Sequence, residues 1–218
     1  MTGTQTRHPA RYSPQLLEYF KQLLDGYRLI LDPFAGTGER LRGVRPDAVL
    51  NELEPEWGRV SGAVRGDALH LAFAGACFDA VVTSPTYGNR MADTFTDKKP
   101  EKNYRRNTYT HALGHKLHPH NSGGLQWGDK YKTFHLAAWR EVYRVLKPGG
   151  RFVLNISDHI RGGQRMEVSA YHLDACHWVG FEFEQRHEVK TPRNRQGQNG
   201  QARVDGEYIF VFRKPQHG

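Results

Sequence analysis

The chain is predicted to fold as a doubly wound α/β sheet. Three observations say so. Short apolar runs alternate with helix-like segments, the pattern of a mostly parallel sheet covered by helices. The first apolar run ends in a glycine turn, Pro33-Phe34-Ala35-Gly36-Thr37-Gly38. The last two apolar runs follow one another with no helix between them, as the strands of an antiparallel hairpin do.

In chain order, residues 12–24 open with a helix. Ser13 stands at its N-cap position and Pro14 at its first turn. Leu16, Leu17, Phe20, Leu23 and Leu24 share one face, and Asp25-Gly26 ends it. Arg28 to Asp32 is a short buried strand, and the glycine turn leads from it into a short helix. Ala48 to Asn51 is a second strand, Ala63 to Arg65 a weak third, and Phe78 to Thr83 a fourth. Lys130 to Leu146 is an amphipathic helix with Phe134, Ala138, Val142, Tyr143 and Leu146 as its apolar face. Lys147-Pro148-Gly149-Gly150 stops that helix, and Arg151 to Ile156 is a fifth strand. Ser169 to Val179 is a helix closed by Gly180, and Phe181 to Val189 pairs with Glu207 to Phe212 as the hairpin.

The 218 residues make one domain, long enough to bury a core without staples. No run of 18 apolar residues is present, so no membrane-spanning helix is expected. The opening MTGTQTRHPARYSP has no apolar stretch of a secretory signal. Cys77 and Cys176 cannot form a disulfide framework or a CxxC zinc site, and they fit a reducing cytoplasm.

The net charge of +8 suggests an anionic partner, and its distribution is uneven. Gly88 to Lys130 holds eight basic residues against four acidic ones, and Arg186 to Arg203 holds five against one. The rest of the chain is therefore neutral. Both stretches read as loops rich in Asn, Gln, Gly, Thr and His. A neutral body with two basic loops looks like a binding face. The first stretch is also too long for an ordinary connection.

Gly36 and Gly38 let a ligand approach the backbone closely. They lie at the carboxyl end of a strand, where doubly wound sheets bind nucleotides. The turn lacks both GxGxxG and GxxxxGK[ST], so neither a dinucleotide fold nor a phosphate cradle is expected. An acid follows each of the first three strands. Asp32 precedes Pro33 and Phe34. Glu52, before Leu53, suits a ribose diol, and Glu54 can cap the next helix. Asp67, before Ala68, can accept from an adenine amine. Singly, each reads equally well as a solvated acid or a plain turn; together they point to a nucleoside.

The run Asp32 to Gly38, the acids downstream and Lys147-Pro148-Gly149-Gly150 together resemble the cofactor half of a class I methyltransferase. The resemblance implies a Rossmann-like, mostly parallel seven-stranded sheet with a C-terminal antiparallel hairpin and helices on both faces. It also implies S-adenosylmethionine bound by Asp32, Pro33, Phe34, Gly36, Thr37, Gly38, Glu52, Leu53, Asp67 and Ala68. Ser84-Pro85-Thr86-Tyr87 is similar to the [Asp/Asn/Ser]-Pro-Pro-Tyr turn of amino methyltransferases, with Thr86 in place of the second proline. That places the catalytic groups at Ser84, Pro85, Thr86 and Tyr87. The Ser84 hydroxyl and Pro85 carbonyl would accept the hydrogens of a base amine, and Tyr87 would stack on the base. A serine first in this motif goes mostly with N4-cytosine enzymes.

The expected substrate is DNA, with its target base flipped out or already single-stranded. In the long insertion Arg90, Lys98, Lys99, Arg105 and Arg106 would hold phosphates, while Tyr109 and Trp127 stack bases. Arg193 and Arg195 would join them from the second basic loop. His111, His115, His118 and His120 are read as phosphate or base contacts, since no cysteine lies near to complete a metal site. Asn155 ends the fifth strand near the same mouth. N6 of adenine in DNA, and guanine N2 or adenine N6 in RNA, are the alternative targets. A catalytically silent nucleic-acid-binding module is the alternative outside enzymes.

Overall fold

The computed structural model describes residues 8–10, 12–88, 108–191 and 204–216. The strands are β1 (Ile30–Asp32), β2 (Val49–Glu52), β3 (Val64–Arg65), β4 (Phe78–Thr83), β5 (Leu146–Ile156), β6 (His159–Arg161), β7 (Gln164–Met166), β8 (Glu182–Lys190) and β9 (Gly206–Arg213). The helices are α1 (Pro14–Leu23), α2 (Glu39–Val44), α3 (Pro55–Ser61), α4 (Tyr109–Leu113), α5 (Asp129–Val145) and α6 (Val168–Val179).

Seven strands form one sheet in the order β3-β2-β1-β4-β5-β9-β8, and β6 with β7 makes a separate hairpin. The pairs from β3 through β5 are parallel, while β9 runs antiparallel to both β5 and β8. Period-two alternation supplies a core on each face of the sheet. Phe78, Phe152, Leu154, Phe210 and Phe212 pack with Trp139 and Val142 of α5 and with Ala175 and Cys176 of α6. Ala80, Val82, Val153, Ile209 and Val211 pack with Leu16 and Phe20 of α1 and with Leu41 of α2. The chain builds outward from β1 to β3, then returns to lay β4 on the other side of β1. The two turns leaving β1 and β4 therefore stand side by side at the switch point.

Local chemistry sets the helix ends. Ser13 caps α1 by accepting from the Leu16 N–H, with Pro14 in the first turn. Gly180, at φ 109°, closes α6. Three expectations need correction. The buried face of α5 is Tyr131, His135, Ala138, Trp139, Val142 and Val145. Phe134 and Tyr143 are only partly buried, because the helix turns its polar-tipped aromatics inward to partners on α6 and the turn after β4. β5 starts at Leu146, before the Pro-Gly-Gly segment, since Leu146 already pairs with Phe78 of β4. Arg186 and Lys190 lie on β8, so the second basic stretch is partly strand. No helix among the described residues is long and apolar enough to cross a membrane.

Candidate active site

The glycine turn after β1 has the backbone that glycine alone tolerates easily. Gly36 and Gly38 have φ of 56° and 60°, and a Cβ on Gly38 would stand 2.2 Å from Leu50 Cδ1. Asp32 is fully buried behind the turn and is not part of the cavity wall. Its Oδ1 accepts from Thr83 Oγ1 at 2.7 Å and from the Phe34 N–H at 3.1 Å, and its Oδ2 accepts from the Tyr12 hydroxyl at 2.9 Å. Asp32 thus ties the end of β1 to the end of β4, a structural role in place of the expected cofactor contact. Burial pushes its pKa up to about 6, against the pull of these hydrogen bonds.

Glu52 ends β2 and does line the cavity. Its Oε2 accepts from the Gly36 N–H at 2.7 Å and its Oε1 from the Glu54 N–H at 2.8 Å. Desolvation pushes its pKa up to about 7. Glu54 makes no side-chain cap on α3; its Oε1 instead accepts from the His118 N–H and Asn121 Nδ2, each at 2.8 Å. Asp67 accepts from the Leu69 N–H and pairs with His120 Nδ1 at 2.7 Å. His115 pairs with Glu56 at 3.3 Å. The C-terminal half of the long insertion therefore straps over the acids of the cofactor half. His115 and His120 meet carboxylates there through their rings and His118 through its backbone N–H, while all three residues stay exposed. No group of three His, Cys, Asp or Glu residues able to hold a metal occurs among the described residues.

The turn leaving β4 is held from two sides. Behind it, Trp139 Nε1–H donates to His172 Nδ1 at 2.9 Å, so the neutral imidazole carries its proton on Nε2. His172 Nε2–H then donates to the Tyr131 oxygen at 2.9 Å, and the Tyr131 hydroxyl donates to the Thr86 carbonyl at 2.7 Å. Burial keeps His172 well below the usual histidine range, which keeps this chain neutral. From the strap, Ser122 Oγ accepts from the Thr86 hydroxyl at 3.0 Å, and the Trp127 N–H donates to the Gly88 carbonyl at 3.1 Å. Thr86 replaces the φ restraint of a proline with a hydrogen bond.

In front, Ser84 Oγ lies 2.8 Å from the Tyr87 hydroxyl. Asn155 Nδ2, at the end of β5, donates to Ser84 Oγ at 3.1 Å, to the Tyr87 oxygen at 2.9 Å and to Glu207 Oε2 at 2.7 Å. The Tyr87 hydroxyl also donates to Glu207 Oε2 at 3.3 Å.

One cavity of about 380 Å³ joins the two turns. Its wall includes Pro33, Phe34, Gly36, Thr37, Gly38, Glu52, Leu53, Asp67 and Ala68 on the cofactor side, and Ser84, Pro85, Thr86 and Tyr87 on the other. Trp57, also on the wall, keeps a buried indole N–H with no acceptor among the described residues. A glycine cradle, a buried carboxylate for a diol and an orphaned donor fit an adenosine-bearing cofactor. Tyr109 is buried at 5% exposure against Trp57, so it walls this cavity and is not free to stack on bases. Trp127 is partly buried, packs on Tyr131 and Tyr171, and lies outside the cavity wall. Arg90, Lys98, Lys99, Arg105, Arg106, Arg193 and Arg195 lie outside the described residues.

Sequence reasoning missed Glu207, Tyr12, Trp57 and the Tyr131–His172 pair. The available signal was a polar residue inside an apolar run, as with Asn155 in VLNI. For Glu207 and Tyr12, which flank their elements, the sequence carries no such mark.

The family model described as DNA methylase, of the N6/N4 methyltransferase kind, matches residues 78–218. The chain belongs to the N6/N4 DNA methylase family. It is a DNA amino-methyltransferase that uses S-adenosylmethionine. The matched segment begins at the first residue of β4 and so contains the Ser84–Tyr87 turn. A search of curated proteins gives no match. Among solved structures, the [4+2]-cyclase SpnF superposes with a TM-score of 0.56 at 17% identity, over 92% of this chain and 80% of that one. The PH0226 protein of Pyrococcus horikoshii OT3 gives 0.56 at 13%, over 91% and 87%. The N-methyltransferase NodS of Bradyrhizobium japonicum WM9, solved with S-adenosyl-L-homocysteine, gives 0.52 at 14%, over 93% and 89%. At these identities the likeness speaks for the fold, which for the DNA methylase is the expected α/β one.

Proposed function

We propose that this DNA methylase modifies N4 of cytosine, on a base flipped from the duplex or already single-stranded. The observation that carries the reading is the single cavity with the glycine turn at one end and Ser84-Pro85-Thr86-Tyr87 at the other. When bound, S-adenosylmethionine supplies an electrophilic methyl group. The chain's own residues have to make a poor nucleophile competent, since the lone pair of a base amine is delocalised into the ring. Ser84 Oγ and the Pro85 carbonyl accept the two amine hydrogens, which favours a pyramidal nitrogen and stabilises its developing positive charge. Tyr87 stacks on the base and fixes the line of attack. Glu52 accepts from the ribose diol of the cofactor, and Asp67 faces its adenine. A neutral serine hydroxyl in the first position of the turn supports cytosine over adenine. Arg90, Lys98, Lys99, Arg105, Arg106, Arg193 and Arg195 supply phosphate contacts.

Mass spectrometry of nucleosides from DNA and RNA incubated with enzyme and S-adenosylmethionine tests this reading. N4-methylcytosine from DNA is expected. N6-methyladenine alone would overturn the choice of base, and methylation confined to RNA would overturn the choice of polymer.

A further inference from the structure

We propose that Glu207 is the terminal proton acceptor of the reaction, reached from the target amine through Ser84 and Tyr87. The proposal rests on the base-amine reading above and adds the fate of the proton.

Glu207 opens β9, opposite Val189 of β8, and keeps 7% of its surface exposed on the cavity wall. A carboxylate held this far inside must serve its surroundings, because burying it is costly. One of its oxygens, Oε2, takes both Asn155 Nδ2–H at 2.7 Å and the Tyr87 hydroxyl at 3.3 Å. Tyr87 has one hydroxyl hydrogen, and this bond directs it to Glu207. The contact of 2.8 Å between Tyr87 and Ser84 then uses the Ser84 hydrogen, donated to the Tyr87 oxygen. Hydrogens thus point one way, from Ser84 to Tyr87 to Glu207. Asn155 Nδ2, whose two N–H groups are shared among these three oxygens, holds the three side chains together. With its hydrogen donated to Tyr87 and one lone pair taken by the Asn155 N–H, Ser84 Oγ on the cavity wall keeps one lone pair as an acceptor, the state its proposed role requires.

The proton count closes on this chain of bonds. As the amine nitrogen bonds to the methyl carbon, the carbon–sulfur bond breaks and its electron pair stays on sulfur. The nitrogen is left with an extra proton that the base ring cannot keep. That N–H bond breaks toward Ser84 Oγ while the Ser84 proton passes to Tyr87 and the Tyr87 proton passes to Oε2 of Glu207. The products are a neutral methylamino base, a thioether and a neutral Glu207 carboxyl, which returns its proton to water when the site opens. Ser84 touches the amine in this scheme, whereas Glu207 acts through Tyr87.

Among the described residues, the titratable and charged groups on the turns and strand ends beside Glu207 include Tyr87, Tyr12, Asp158, His159, Asp205, Glu188 and Lys190. Asp158 is neutralised by Arg165 at 2.6 Å. Tyr12 is held well above its usual value by burial and by Asp32, so it stays protonated. Burial and Arg161 hold His159 below the usual histidine range.

The experiment compares wild type with Glu207→Gln, Glu207→Asp, Tyr87→Phe and the double variant Tyr87→Phe/Glu207→Gln in single turnover at saturating cofactor. Glu207→Gln keeps the shape and both acceptor contacts but cannot take a proton. It should lower the transfer rate by about 100-fold, remove the acid limb of the pH–rate profile and leave cofactor affinity within about twofold. Glu207→Asp should recover part of the rate and the acid limb. The double variant should be no slower than the slower single one, because both cut the same path. A Glu207→Gln rate within about threefold of wild type, or multiplicative losses in the double variant, would each overturn the relay. Wild type that transfers no methyl to DNA would remove the base-amine reading and the relay with it. If Glu207→Gln fails to fold, Glu207→Asp and Tyr87→Phe decide, and a Tyr87→Phe rate within about threefold of wild type overturns the relay.

Discussion

Burial gives the two strand-end carboxyls of the cofactor half different duties. Asp32 uses its oxygens on Tyr12, Thr83 and the Phe34 N–H, which locks the β1 and β4 turns together. Glu52 faces the cavity with its pKa pushed up to about 7. Ribose hydroxyls donating to it favour the ionised form, so the cofactor-bound pKa lies lower. Between those two values, binding expels a proton and affinity rises with pH, levelling above about pH 7. Calorimetry near pH 6, in two buffers of different ionisation heat, should detect that proton. Glu52→Gln should bind more weakly and with little pH dependence. Wild-type affinity that stays flat from about pH 5 to 8 would remove Glu52 from the diol. At this scale the sequence was readable where an acid recurs at the same place in each unit, as in Asp32, Glu52 and Asp67 at or just past the ends of successive strands. It could not separate the buried brace from the ligand-facing acid, because that difference is made by Tyr12 and Thr83, distant in the chain.

The turn after β4 owes its shape to elements on either side. α5 and α6 hold it through Trp139, His172 and Tyr131, and the strap from α4 to Trp127 holds it through Ser122 and the Trp127 N–H. Tyr131→Phe removes the donor to the Thr86 carbonyl and leaves the His172 Nε2–H without its acceptor. Stability should fall by about 1–3 kcal/mol in a denaturant melt. The transfer rate should fall by about tenfold or more from misplacement of the turn, with cofactor affinity unchanged, since Tyr131 is not on the cavity wall. An unchanged rate would show that the turn holds itself. The strands and α1 followed from local pattern: Ser13-Pro14 started the helix, and FDAVVT became β4 residue for residue. The face of α5 did not follow, because Tyr131, His172 and Trp139 satisfy one another's polar tips inside, and hydropathy counts such residues as polar. The β6–β7 hairpin and α4 were also missed; each is short, and tertiary contacts decide such elements more than propensity does.

Over the whole molecule, the charge and the sheet topology point to the same end. The topology brings the glycine turn and Ser84–Tyr87 together at the switch point, and the two basic stretches leave from the Gly88 and β8–β9 sides of that mouth. The strap modifies the initial division of labour, since His120 and Tyr109 line the cavity. The proposed function assigns phosphate contact to Arg90, Lys98, Lys99, Arg105, Arg106, Arg193 and Arg195, which lie outside the described residues. Replacing Lys98, Lys99, Arg105 and Arg106 by glutamine should weaken DNA binding at all sequences. It should also flatten the log–log dependence of affinity on salt, by about 0.9 for each duplex phosphate that is no longer neutralised. An unchanged salt slope in fluorescence-anisotropy titrations would place the DNA elsewhere. The central claim is that methyl transfer to a DNA base happens at the turn after β4. Transfer of labelled methyl from S-adenosylmethionine into DNA, measured beside cofactor affinity for wild type and Tyr87→Ala, tests it most directly. Label in DNA with wild type, and its loss in Tyr87→Ala with cofactor binding retained, is the expected result; undiminished transfer by Tyr87→Ala would contradict it.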